Sequence, residues 1–445
     1  MTSPVGARVI PRRADVVVVG AGSAGCIIAE RLSREAGRHV VVLEAGPGWP
    51  GNEVTDLSTL PIGADSPWVS VYPEPNVGAV VRGRGVGGSA AVNGGYFLRW
   101  HAADFEHWPD QWQDGCIDRA YDELDGPSGT MAVHPYRDDE LGDAARAFER
   151  FWSRRVAVRE HAARWPIVGL NRVLTNSAHG LRVTSAQTYL RPAMTRPNIS
   201  LFSGIQVSEV VTQRSRVTGV RIADGHGTII DCDEVILSAG TLGTAGILLR
   251  SSGLMMPTAL PIGEHREILV TYRRRQSAPA VGLLQSVVHT ESGIEIRCYS
   301  DSFDRYISGS RDGTAAIGVA AMLPASGGEI TLRDGDSALA LADPAPDVLA
   351  DLVAVSGEVV DMLNSADFDP VVLPGSVVVD PVVRTSQHAW GTMPMGERTD
   401  PLGAVQGVRG LRIVDGSILP TTGRSGPHAT TMMLACRIGD AISSD

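Results

Sequence analysis

Asp15-Val16-Val17-Val18-Val19-Gly20-Ala21-Gly22-Ser23-Ala24-Gly25 is the stretch that decides how this chain folds. Four consecutive β-branched residues, Val16 to Val19, predict a strand buried on both faces of a parallel sheet. The spacing Gly-x-Gly-x-x-Gly follows at once. Gly20 permits a tight turn, Gly22 lets the backbone approach a pyrophosphate, and Gly25 lets a helix pack closely on the strand. Residues 23–35 carry helical spacing, with Cys26, Ile27, Ala29 and Leu32 apolar and Glu30, Arg31 and Arg34 polar. The free amides and positive dipole end at the start of such a helix suit a phosphate. Residues 40–43 predict the next strand, and Glu44 stands at its carboxyl end, where a carboxylate can accept ribose hydroxyls. The glycine pattern alone is a weak signal. With a strand before it, a helix after it and the acid in place, it reads as a dinucleotide-binding β-α-β unit.

Outward from that unit, glycine and proline punctuate residues 45–95 and predict long loops over a cofactor. Residues 206–211, 217–222, 228–230 and 234–237 predict a small β-meander returning to the main sheet. Strand character returns over 266–335, where Ile294 and Ile296 alternate with charged neighbours. Residues 347–363 and 430–442 have helical spacing, and 377–383 leads into a histidine segment. The predicted fold is α/β. Residues 14–105, 175–265 and 380–445 form a Rossmann-like cofactor-binding domain, with an α+β substrate lobe (106–174 and 266–379) inserted.

Composition removes several classes. The 445 residues contain no lysine, so all 39 basic residues are arginine. That excludes a lysine Schiff base and the Gly-Lys-Ser/Thr phosphate loop. A net charge of −11 argues against nucleic acid, whose phosphates need a concentrated positive surface. The five cysteines are scattered and never spaced as Cys-x-x-Cys, which points to reduced thiols and no metal site. No apolar run is long enough for a signal core or a membrane span, so the expectation is a soluble, cytoplasmic protein.

Two further regions carry chemistry. Arg82-Gly83-Arg84-Gly85-Val86-Gly87-Gly88-Ser89-Ala90-Ala91-Val92-Asn93-Gly94-Gly95 is a second glycine cluster, whose bare backbone can close in on an anionic or flat aromatic group. Near the end stand His388-Ala389-Trp390-Gly391-Thr392 and His428, flanking Arg412-Ile413-Val414-Asp415-Gly416. Oxidation of an alcohol needs a base for the hydroxyl proton, a second group for the developing alkoxide and a hydride acceptor. Histidine, titrating near neutrality, suits the first role.

Taken in order, Gly20–Gly25, Gly85–Gly95, Ser238-Ala239-Gly240-Thr241 to Ser252-Gly253, and His388 to His428 resemble the glucose–methanol–choline (GMC) flavin oxidoreductases over nearly the whole chain. The resemblance implies FAD held by Gly20, Gly22, Ser23, Gly25, Glu44 and Ala45, and by Arg84, Gly87, Gly88, Ser89, Asn93 and Gly94 of the second cluster. Ala239, Asp415 and Gly416 complete that set. It places the base on His388 and, at a position that is His or Asn in the family, a substrate-oxygen ligand on His428. No histidine stands in the second glycine cluster, so FAD is expected to be bound without a covalent histidine link. Leu60-Pro61-Ile62-Gly63, Val81-Arg82-Gly83 and Val92-Asn93-Gly94-Gly95-Tyr96-Phe97 resemble the mycofactocin-associated branch. That implies reduced mycofactocin as the alcohol and leaves the electron acceptor open, a quinone or a respiratory chain being the candidates. Two alternatives stay open on the same motifs: another small alcohol, and a hydroxynitrile-lyase-like enzyme with structural FAD. The chain is short for the family, so the substrate lobe reads as trimmed. The usual segment ending in Asp-His-Pro is shortened to Ile262-Gly263-Glu264-His265-Arg266, which puts cofactor contacts there in doubt.

Other conspicuous residues read as structural. Trp108, Trp112 and Tyr121 read as helix-packing core. Asp138, Asp139 and Glu140 read as a solvated helix start, Arg273-Arg274-Arg275 as a solvated edge, and His101 and His107 carry no assigned role.

Overall fold

Val16–Val19 and Val40–Leu43 have no polar side chain to offer water, and they pair in parallel register at the centre of a seven-stranded sheet. In the computed structural model, which describes residues 10–63, 65–76, 78–113, 115–276, 282–309 and 313–443, they belong to the strands Arg13–Val19 and Val40–Glu44. The helix Ser23–Leu32 joins them and packs against the closing helix His428–Ile442. Arg13–Val19 pairs on its other edge with Ile229–Leu237, again in parallel, and Val40–Glu44 pairs onward with Ile199–Ser203. The sheet therefore grows to one side of Arg13–Val19 and is rejoined from the other. That reversal leaves a crevice beyond the carboxyl ends of the strands.

A second seven-stranded sheet is antiparallel throughout. Its order is Val378–Val379, Glu264–Tyr272, Ala315–Ser326, Ile294–Tyr299, Leu284–His289 and Gly169–Arg172, with Arg384–Thr385 also on Glu264–Tyr272. The helices Asp143–Trp152 and Pro346–Leu363 cover one face. Because successive strand residues point to opposite faces, Ile268, Val270, Tyr272, Ile294, Ile296 and Cys298 pack under those helices. Their neighbours Glu267, Leu269, Glu295, Arg297 and Tyr299 point the other way, into the crevice.

Several sequence expectations change. Residues 45–95 are not all loop: they hold the short helix Asn52–Thr55 and a hairpin of Val69–Glu74 with Gly78–Gly83. Pro73 is tolerated because this sheet has only two strands, so its missing N–H lies on an edge. The two strands expected at 228–230 and 234–237 are one, Ile229–Leu237. Asp231 and Asp233 interrupt the apolar run, but they point outward into solvent while Ile230 and Cys232 are buried. Asp138 to Glu140 form a turn ahead of the helix, which starts at Asp143. Arg274 is no solvated edge: it is buried and paired to Asp143 at 2.6 Å and Asp301 at 3.6 Å. The closing helix begins at His428, two residues earlier than expected. Trp108, Trp112 and Tyr121 are core, as read. All five cysteines are buried and free. No helix among the described residues is long and apolar enough to cross a membrane.

Ile296 is fully buried between the antiparallel sheet and its helices, directly behind Glu295 and Arg297. Ile296→Ala is expected to lower the unfolding free energy by about 2–5 kcal/mol, the usual cost of truncating such a side chain. Urea titration of both proteins checks this, with the midpoint moving and the slope unchanged.

Candidate active site

The carboxyl ends of the first two strands supply the start of the site. Gly20 has φ +101°, and a Cβ there would lie 2.4 Å from the Ser238 carbonyl oxygen. At Gly25 a Cβ would lie 2.0 Å from the Gly20 carbonyl oxygen, so any side chain would push the helix off the turn. The two glycine clusters meet directly, a Cβ on Gly88 falling 2.8 Å from Gly22 Cα. No side chain caps the helix Ser23–Leu32, whose first amides stay available to a ligand.

Glu44 ties these pieces together. One carboxylate oxygen accepts the Ala21 amide at 2.9 Å, and the other accepts Gly46 at 2.8 Å and Gly85 at 2.9 Å. Burial pushes its carboxyl up, while the three amides favour the ionised form. The sequence assigned Glu44 to a ligand; the structure shows it also pinning the loops that would surround one. Arg84 donates to the Ala45 carbonyl at 2.8 Å, fixing the adjoining loop.

Around this cradle lies a cavity of about 1140 Å³, more than an ordinary small-molecule cleft of ~300–1,000 Å³. Gly20, Gly22, Ser23, Glu44 and Ala45 line it, as do Arg84, Gly88, Ser89, Asn93 and Gly94. Ala239, Asp415, Gly416, His388 and His428 line it too. Gly25 and Gly87 do not. Gly25 sits under the turn, and Gly87 donates its amide to the Ala21 carbonyl at 2.8 Å, so both act through packing. Asp415 lines the cavity with its oxygens already engaged, by Thr244 at 2.6 Å and the Ser417 amide at 2.8 Å.

The two histidines arrive from separate segments and share the cavity. His428 is the first residue of the closing helix, its Nδ1 lies 3.5 Å from Ser23 Oγ, and Phe97 meets its ring edge-on. Its Nε2 is buried with no hydrogen-bond partner, a group waiting for a ligand atom. Burial drives its pKa down to about 4. His388 is held by the shortened segment the sequence left in doubt. The backbones of Gly263 and Trp390 exchange two hydrogen bonds, and the Glu264 carboxylate accepts the His388 amide at 2.7 Å. Its Nδ1 lies 2.9 Å from Nδ1 of His265, whose Nε2 bonds Thr422 Oγ1. Burial, then the Arg297 charge and His265, hold His388 well below its ordinary pKa; burial and Arg297 bring His265 down to about 3.

Reading the sequence alone missed His265, Glu264 and a polar wall on the antiparallel sheet. Glu295 accepts Arg297 Nε at 2.6 Å on one oxygen, and Tyr96 at 2.6 Å and His289 at 2.8 Å on the other. Burial disfavours its charge, yet Arg297 and these donors hold it well below the usual carboxylate range. His101, given no role from sequence, backs this wall: its Nε2 lies 2.7 Å from His289 Nδ1, and its ring accepts the Asp104 amide. Burial and His289 lower the His101 pKa to about 3. His107 stays exposed on the surface. The signal for the wall was present in Ile294-Glu295-Ile296-Arg297, where the alternation was read as strand character and the charged positions were given no role.

The pattern of the GMC oxidoreductase family matches residues 14–268 and 324–435. An uncharacterized GMC-type oxidoreductase of Rhodococcus erythropolis is 31% identical over 97% of this chain and 99% of its own length. An oxygen-dependent choline dehydrogenase of Photobacterium profundum is 24% identical, covering 96% and 92%. Among solved structures, pyridoxine 4-oxidase from Mesorbium loti superposes with a TM-score of 0.85 at 20% identity, covering 97% of this chain and all of that one. A formate oxidase of Aspergillus oryzae gives a TM-score of 0.83 at 18% identity, covering 98% and 99%. The chain belongs to the GMC oxidoreductase family, has its fold, and is an oxidoreductase.

The lowered histidines carry a pH signature. The unfolded His428 binds a proton near pH 6.5, the folded one only near 4, so the unfolded state gains protons first on acidification. The stabilising contribution is complete above pH 6.5 and drains away as the pH falls toward 4. Thermal melts across that window are expected to show a falling Tm, with a shallower fall in His428→Asn.

Proposed function

We propose that this protein is an FAD-dependent dehydrogenase that oxidises an alcohol, with reduced mycofactocin as its substrate. The observation that carries the reading is the meeting of two neutral histidines with a glycine-built dinucleotide cradle in one cavity. The cavity fits FAD: it has bare backbone around a helix N-terminus, a carboxylate beside it, and an unpartnered imidazole nitrogen at His428. Gly20, Gly22, Ser23 and Glu44 would hold the adenosine and pyrophosphate portions, and Arg84, Gly88, Ser89, Asn93 and Gly94 would adjoin the flavin. Ala239, Asp415 and Gly416 would close the cradle. When bound, FAD supplies the hydride acceptor. No histidine stands in the second glycine cluster, and FAD is read as bound without a covalent histidine link.

His388 is the base in this reading. For its Nε2 to carry a free lone pair, its Nδ1–H must donate to His265 Nδ1, and His265 Nε2–H to Thr422 Oγ1. The observed contacts allow that arrangement. Burial keeps both rings neutral at pH 7, which leaves the His388 lone pair available while lowering its affinity for a proton. His428 Nε2–H would hold the substrate oxygen as the alkoxide develops.

Mycofactocin is supported by where the branch-like segments lie: Leu60, Ile62, Arg82, Asn93 and Tyr96 all face the cavity. A relative is named for choline, so a small alcohol of that kind is the alternative substrate.

Loaded with FAD and kept anaerobic, the protein is expected to lose its visible flavin bands when reduced mycofactocin is added. His388→Ala should keep the bands and slow their loss by ~10²- to 10⁴-fold, the range for removing a general base. Reduction at the native rate by that variant would remove His388 from the role.

A further inference from the structure

The antiparallel sheet gives the cavity a wall that is polar and buried. Glu295 is fully committed, since both of its oxygens accept short bonds from Arg297, Tyr96 and His289. Arg297 and Glu267 are not. Of the Arg297 nitrogens only Nε has a short partner; one outer nitrogen reaches Glu267 at 3.4 Å, and the other meets the Met322 sulfur at 3.3 Å. The first is a long, weak hydrogen bond and the second uses a poor acceptor. Glu267 mirrors this. Tyr299 donates to one of its oxygens at 2.8 Å, while the other has only Arg297 and Ser386, each at 3.4 Å. Both residues are about 95% buried, and both line the cavity.

A donor and an acceptor therefore sit side by side, out of water, with every polar atom partnered but the facing outer nitrogens and one carboxyl oxygen held only through long contacts of 3.3–3.4 Å. Long contacts of that kind are weak, and a ligand offering shorter ones would gain by replacing them. We infer that Arg297 and Glu267 form a recognition subsite for a neutral amide-type group on the substrate, the guanidinium donating to its carbonyl oxygen and the carboxyl accepting its N–H. The inference rests on the reading of this cavity as the alcohol site and adds the chemical class that the alcohol carries.

Charge favours a neutral group over an ion. The Arg297 charge is already balanced by Glu295, so an anion gains little there. Burial pushes the Glu267 carboxyl above its usual range, which weakens its pull on a cation. Apolar neighbours such as Leu269, Leu284 and Phe303 line the same cavity and suit the hydrocarbon around such a group.

Four small aromatic probes test this by calorimetric titration into the FAD-loaded protein: benzamide, acetophenone, benzoate and benzylammonium. Benzamide is expected to bind at least about tenfold tighter than each of the others, the value of one well-made hydrogen bond to a charged group. Arg297→Met and Glu267→Leu should each erase that preference. Tightest binding of benzoate would make Arg297 a plain anion site, and tightest binding of benzylammonium would make Glu267 a cation site. Equal binding of all four would show a wall that selects nothing. Each of those three results overturns the inference, and all are read on the native chain without depending on a variant's folding. Turnover is separate: selective benzamide binding with no flavin reduction by 4-(hydroxymethyl)benzamide keeps the subsite and counts against alcohol oxidation.

Discussion

One carboxylate holds the cofactor end of this molecule in shape. Glu44 accepts backbone amides from the first glycine turn, from its own strand's exit and from the second glycine cluster. Each donor belongs to a segment with few side chains to anchor it, so packing alone would leave these loops free. Three amide bonds to one buried carboxyl tie the three segments together at one junction. The close approach of Gly22 to Gly88 and the amides around the helix start follow from that junction.

The other half of the site obeys a different constraint. An antiparallel sheet covered by helices on one face must put something on the other, and here that face carries Glu267, Glu295, Arg297 and Tyr299. Buried charges survive only when paired and hydrogen-bonded. Glu295 meets that condition completely through Arg297, Tyr96 and the His289–His101 pair, and it keeps Arg297 fixed at the wall. His388 sits where the two halves join, its backbone on Glu264 and its ring on His265, both from one strand of that sheet.

Local patterns were legible. The first β-α-β unit, the helix at 346–363 and the tryptophan core follow from neighbours within a few residues. Where the reading failed, the cause was an environment supplied from afar. Asp231 and Asp233 look like a break until one sees that they point to solvent from a continuous strand. Arg274 looks solvated until Asp143 and Asp301 arrive beside it. His101 looks idle until His289, 188 residues away, meets its ring. Gly25 and Gly87 were singled out as cofactor-binding, and in the structure they pack beneath the turn and do not line the cavity.

The sequence by itself determined the glycine-rich β-α-β turn, because glycine spacing, a valine run and an acid at a strand end constrain geometry over short range. Only the tertiary structure decided what surrounds His388 and what lines the wall facing it. Glu264, His265, Glu267, Glu295 and Arg297 acquire meaning through strand pairing and facing direction. A period of two assigns residues to opposite faces, but the partners that make one of those faces a buried wall come from the rest of the chain.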